Sequence, residues 1–304
     1  ILTLFSELTE DEQGQIDLSR VTELQGALDG ANAPIPLVNG DVTLTTNDKE
    51  VIFTVGECGD NCQGHTITQN VQGGVVEAAK ILVESGTHDI TFSRLNLSSA
   101  AVGIMPGGTM NLTLDGNNTI TANSNLAGIY VPGEATLIIT KESTGSLTVS
   151  GNNGAGIGGA FSAANGTSGD LNCGTVVING GTIVAAGGGT SAGIGGGLGD
   201  YDGGNGGNIT INGGTVTATG GSDANNNYGG AGIGGASGNG KTDASGCGGT
   251  LTINGGHVTL TAGAHNSTYG SAYGFGKGSR NVSNGPCELT LADASYLTLT
   301  EGTA

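Results

Sequence analysis

From about residue 41 onward, apolar and polar positions alternate in short runs that glycine interrupts. Three segments align almost residue for residue: GTVVINGGTIVAAGG from Gly174, GNITINGGTVTATGG from Gly207 and GTLTINGGHVTLTAG from Gly249. A period of two over three to five residues is the signature of a half-buried strand. It places Val177, Ile183, Ile209, Ile211, Val216, Leu251, Ile253 and Val258 among the inward candidates, with Thr and Asn outward. The NGG between each pair of runs supplies residues that accept the positive φ of a corner. The same strand–turn–strand rhythm appears in DVTLTTNDKEVIFTVG from Asp41, KILVESGTHDITFSRLNLSS from Lys80 and ATLIITKESTGSLTVSG from Ala135. Residues 73–85 also contain good helix formers, but their second half reads as strand.

A second repeat runs through the same stretch. Gly-Ile recurs at Gly103, Gly128, Gly156, Gly193 and Gly232, with a degenerate copy, SAYGFGK, around Gly274. The spacings are 25, 28, 37, 39 and 42 residues, so one unit returns with insertions of varying length. Such a unit cannot bury its apolar face alone and does so by stacking on its neighbours. The fold class predicted is all-β: a parallel β-helix over 41–304, right-handed by the crossover rule for parallel strands, with a small N-terminal capping or assembly segment over 1–40. In that segment Leu18, Val21, Leu24 and Leu28 follow Asp17 at helical spacing and Pro34 and Pro36 close it. A helix there would cover an otherwise unpaired edge. ILTLF at the start could pack on the body or pair with another subunit, and YLTLT near the end has no cap after it.

The string AGIYVPGEATLIITKESTGSLTVSGNNGAGIGGA, followed by GAGIGG repeats, resembles a group of bacterial extracellular proteins whose coils carry AGIGGG signatures. The likeness covers roughly residues 80–285. It implies a right-handed parallel β-helix on exported cell-surface or matrix proteins, with no assigned chemistry. The atypical AYGFGK marks a last coil, and the first 40 residues fall outside the likeness.

Composition agrees with stacking of small groups. Glycine contributes 62 of 304 residues, aromatics 4% and tryptophan none, which does not suit a core of large side chains. Eight Lys+Arg face 26 Asp+Glu, a formal charge of −18 that argues against nucleic-acid binding. No apolar run approaches the ~20 residues of a membrane-spanning helix. A chain beginning at Ile1 is consistent with a removed leader or with a later start, and a secreted or cell-surface location is expected.

Candidate chemistry is sparse. Asp200 and Asp202, with Asp223 one coil on, occupy glycine-rich loops; they are candidates for Ca²⁺ binding rather than for a catalytic carboxylate pair. No other cofactor is expected. His65, His88, His257 and His265 are dispersed and read as turn or strand-surface residues. Tyr201, Tyr228, Tyr269 and Tyr273 fall in the inserted loops, where they would form an internal ladder or a platform for sugar rings. Cys58 and Cys62 are expected to form a local disulfide, no second pair completing a metal site. Cys247 and Cys287 lie about one repeat apart, are expected to stack on neighbouring coils and are disulfide candidates; Cys173 is left over as a buried small hydrophobe or a site of intermolecular linkage, the first being the commoner. Seven Asn-x-Ser/Thr sequons, at Asn96, Asn111, Asn117, Asn165, Asn208, Asn266 and Asn281, are glycosylation candidates. Outward pairs Thr215/Thr217 and Thr250/Thr252 are similar to those of ice-binding β-helices, but the array reads as too interrupted for a plane. A non-enzymatic structural or adhesive solenoid is therefore expected, self-associating end to end. A carbohydrate-binding or polysaccharide-cleaving module acting through the loops is the alternative.

Overall fold

A computed structural model of the protein describes residues 35–36, 42–44, 52–55, 64–69, 74–161, 170–225, 227–238, 244–247, 249–266, 270–279, 282–283, 287–292 and 295–301. Every strand pair in it is parallel apart from two isolated antiparallel bridges, Ser222–Gly229 and Ser237–Ser245. The chain visits three faces in turn. Face 1 stacks nine strands from Val42–Leu44 through Gly108–Asp115, Thr175–Ile178 and Gly249–Ile253 to Cys287–Leu291. Face 2 carries Asn117–Ala122, Ser146–Ser150, Thr182–Ala186, Thr215–Thr219, His257–Thr261 and Tyr296–Thr300. Face 3 holds the short Ile-Gly strands Ile157–Gly158, Ile194–Gly195 and Ile233–Gly234, ending in Phe275–Gly276. The protein is thus a three-sided parallel β-helix, and nine rungs at ~4.8 Å make a stack on the order of 40 Å. Residues 80–83 are a strand, as read for the second half of 73–85, and 76–77 in its first half are strand as well. Parallel pairing reaches back to Ile35–Pro36, which pairs with Phe53–Thr54. The helix expected over 17–28, like Cys58 and Cys62, lies outside the described residues.

The period of two fills the prism. Leu137, Val176, Ile209 and Leu251 stand over one another on face 1, and Leu147, Ile183, Val216 and Val258 do so on face 2. All eight are at most 2% exposed. Of the expected inward residues, Val177 alone points the other way: its neighbours Val176 and Ile178 are buried, while Val177 sits between Thr175 and Asn179 on the outer surface. In the run TVVI both phases are apolar, and only register with Ile209 and Ile211 selects one. His65 and His88, expected at turns or on strand surfaces, are each 2% exposed in the early coils. The His88 Nε2 lies 3.1 Å from Ser85 O, while its Nδ1 is buried without a hydrogen-bond partner.

Face 3 explains the Ala-Gly-Ile-Gly signature. Ile129, Ile157, Ile194 and Ile233 form one fully buried column, each in register with the next. The glycine after the isoleucine, at Gly158, Gly195, Gly234 and Gly276, has φ of +135°, +139°, +137° and +133°, which side chains rarely adopt. A Cβ on Gly195 would also collide with the carbonyl of Gly234 directly above it. These glycines let successive backbones meet at the narrowest face of the prism. Gly195→Ala is therefore expected to cost roughly 3 kcal/mol or more, against about 1 kcal/mol for Ile194→Val in the same coil. Thermal unfolding of both variants, followed by circular dichroism, checks the order.

Candidate functional site

The insertions that lengthen later coils fall at two corners flanking face 3. Gly86 pairs with Gly108 in an early coil, whereas Asn208 pairs with Thr250, 42 residues on, in a late one. Among the described residues the added chain packs against itself and its neighbours. Between faces 3 and 1, Gly197 N donates to Leu171 O at 2.8 Å, Gly204 N to Gly197 O at 2.9 Å and Ala236 N to Gly204 O at 3.0 Å, each insertion resting on another through its backbone. Ser191, just before face 3, and Ser237, Ser245 and Ser279, after it, are fully buried. Thr190 Oγ1 donates to Ser237 O at 2.7 Å and Ser237 Oγ to Ser279 O at 2.8 Å, so hydroxyls close the backbone valences that a solvent-filled groove would expose.

The loop residues singled out from sequence divide between the two corners. Asp200, Tyr201 and Asp202 lie between faces 3 and 1, with Tyr201 56% and Asp202 likewise exposed. Asp223 and Tyr228 lie between faces 2 and 3, and Tyr273, 44% exposed, ends the same corner one coil on. Asp223 shapes its own loop: its Oδ1 accepts from the Asn227 and Tyr228 amides at 2.6 and 2.8 Å. Among the described residues no three His, Cys, Asp or Glu side chains group as a metal site. Tyr269 lies outside the described residues.

The aromatic stack that does form was missed from sequence. His257 and Tyr296 occupy one column of face 2, their ring centroids 4.8 Å apart and nearly parallel. The signal was available in the matching offsets of HVTLT and YLTLT.

Faces 1 and 2 carry outward columns of small polar side chains. On face 1, Thr109, Thr136, Thr175, Asn208 and Thr250 are aligned coil over coil, as are Thr113, Thr140, Asn179, Asn212 and Asn254. Asn212 Nδ2 donates to Asn179 Oδ1 at 2.7 Å and Asn254 Nδ2 to Asn212 Oδ1 at 2.8 Å. Face 2 repeats the arrangement with Thr119, Thr148, Val184, Thr217 and Thr259. Thr215/Thr217 and Thr250/Thr252 thus belong to different faces, and the column through Thr217 is broken by Val184 and that through Thr252 by Ile138 and Val177, in keeping with the interruption that the sequence suggests. Over these five coils Asp115, which pairs with Arg94, is the one Asp, Glu, Lys or Arg side chain that the described strands turn outward, although the chain carries −18. Like charges stacked at ~4.8 Å would repel, whereas Thr and Asn bond along the column. Higher on face 1, a groove of about 430 Å³ is bordered by His65, Asp89, Asn111, Thr140 and Glu142. Asn111 Nδ2 donates to Asp89 Oδ1 there at 2.7 Å.

Of the sequons, Asn117 Oδ1 accepts from Ser146 Oγ at 3.0 Å and Asn208 Oδ1 from Thr250 Oγ1 at 3.0 Å, so both join outward columns with Asn111. Asn266 is exposed and Asn96 half-buried. Asn165 and Asn281 lie outside the described residues.

Cys173 is buried beneath face 3, where a Cβ on Gly158 would approach its Sγ to 3.0 Å. Burial, with the negative charge of Asp170 nearby, pushes its thiol up to about 12. The same loop raises Tyr130, through burial first; the Tyr130 hydroxyl accepts from the Asp170 amide at 2.7 Å.

Comparison with family models, with curated proteins and with solved structures finds no match. The site chemistry nevertheless gives a direct prediction. The unfolded Cys173 thiol ionises near its ordinary value of 9.0 and the folded one near 12, so its contribution is complete below pH 9. It declines as pH rises towards 12, by about 1.4 kcal/mol per pH unit within that window. Denaturant titrations between pH 8 and 11 should show a steeper loss of stability in the wild type than in Cys173→Ala. Parallel slopes would contradict the assignment.

Proposed function

We propose that the chain is a non-enzymatic structural and adhesive solenoid of an extracellular surface or matrix, joined end to end with copies of itself. The observation that carries this is the state of the last coil. Leu289, Leu291 and Leu299 are 40%, 49% and 54% exposed. Their register partners one coil earlier, Leu251, Ile253 and Leu260, are 0% exposed. The last described coil therefore presents the interior pattern of the prism, a surface that a further parallel coil completes. A heterologous contact of this kind repeats and generates a filament.

The closed corners support the structural half of the reading. The described parts of the insertions pack onto one another through glycine backbones and buried serines. The AGIGGG resemblance, which points to exported bacterial surface proteins, supports the extracellular setting. Sedimentation velocity on the wild type should show species that grow with concentration, with rods lengthening in negative-stain images. A Leu289→Glu, Leu291→Glu, Leu299→Glu variant should remain monomeric. A wild type that is strictly monomeric at high concentration, with residues 287–301 intact, would overturn the proposal.

Exposure of Tyr201 and Tyr273 favours a second reading, glycan contact at the loop-bearing corners. A glycan-array signal abolished by Tyr201→Ala with Tyr273→Ala would support it. No binding to any polysaccharide, with or without Ca²⁺, would remove it.

A further inference from the structure

The same terminal coil that leaves its leucines exposed also brings two cysteines together. Cys287 opens the last strand of face 1 and pairs in register with Gly249. Cys247 precedes that glycine by two residues, at the corner leading into the previous coil. Their sulfurs lie 3.2 Å apart although 40 residues separate them in sequence. Cys247 is held from several sides: its amide donates to Asn205 Oδ1 at 2.9 Å, its carbonyl accepts from Gly206 N at 2.8 Å, and its sulfur accepts from Gly249 N at 3.4 Å. It is 4% exposed, whereas Cys287 is exposed. A rigid buried thiol in contact with an accessible one, across two adjacent rungs, is the arrangement in which a disulfide forms with little backbone movement.

We propose that Cys247 and Cys287 form a disulfide that clasps the last coil to the prism, and that small disulfides of the cystine or oxidised-glutathione class are the oxidant. The Cys287 thiolate, being accessible, attacks one sulfur of the small disulfide, whose S–S bond breaks and releases a first thiolate. The Cys247 thiolate then attacks Cys287 Sγ, the mixed disulfide breaks and a second thiolate leaves. The two cysteine protons end on the two released thiols. Two protein thiols are oxidised by two electrons and one small disulfide is reduced to two thiols, so the exchange balances. Cys173 takes no part, because its buried thiol is not ionised at the pH of exchange. The clasp acts at the last described coil: among the described residues strands 287–291 and 296–300 pair with one neighbour each, and a cross-link at Cys287 restricts their detachment.

The bond is independent of whether copies associate, so it is tested on dilute monomer. Wild-type protein is incubated with oxidised glutathione, alkylated, digested without reduction and mapped by mass spectrometry. The expected result is a linked peptide joining Cys247 to Cys287, lighter by two hydrogens than the reduced pair, with their alkylation reduced at least roughly tenfold and Cys173 recovered as a thiol. Limited proteolysis within 287–301 should slow about tenfold on oxidation. Cys287→Ser should remove that protection, and Cys173→Ala should retain it. Full alkylation of Cys247 and Cys287 after oxidation, linkage of either to a different cysteine, or equal protection in Cys287→Ser would overturn the proposal.

Discussion

Successive coils are held at one hydrogen-bonding distance, ~4.8 Å, along the whole prism. Everything else accommodates that spacing. At faces 1 and 2 the coils meet through ordinary parallel ladders, and β-branched side chains fill the space between them. At face 3 the strands shrink to two residues, and the chain closes its turn with a glycine near φ +135° whose missing side chain leaves room for the next carbonyl. The column Gly158, Gly195, Gly234 and Gly276 is consequently the constraint on which the triangular section depends, and the buried isoleucine before each glycine is its apolar counterpart.

That spacing also sorts the chemistry of the surface. Outward residues stand over one another at every rung, so hydrogen-bonding side chains are favoured and stacked like charges are disfavoured. Variation is confined to the corners, where insertions do not disturb the rung. Even there the added chain is stacked: buried serines, threonine and glycine backbones bind one insertion to another. Function in such a body has two places to reside, the exposed tips of the corners and the ends of the stack. The last coil, with its leucines half exposed and its two adjacent thiols, is the more distinctive of the two.

Much of this was legible in the residues. The Gly-Ile spacing gave the coil, NGG gave the corner between faces 1 and 2, and alternation gave seven of the eight inward side chains named in advance. Val177 was misjudged because TVVI is apolar in both phases, and register with its neighbours is a property of the stack. His65 and His88 were misjudged because a polar side chain in an alternating run reads as outward; both fall on the buried phase of their strands. The tyrosines and aspartates of the loops looked like one cluster because glycine-rich insertions look alike, and a sequence does not say which of two corners an insertion occupies. The His257–Tyr296 stack followed from a column that alternation had marked but no motif had named.

The central claim is that the Ile-Gly units lie directly over one another in a parallel stack. Isoleucine-methyl-labelled protein tests it by nuclear Overhauser spectroscopy. The stack predicts an unbroken chain of cross-peaks from Ile129 to Ile157, Ile194 and Ile233, each residue connected to the next coil's isoleucine. Absence of the Ile157–Ile194 and Ile194–Ile233 cross-peaks in folded protein would contradict it.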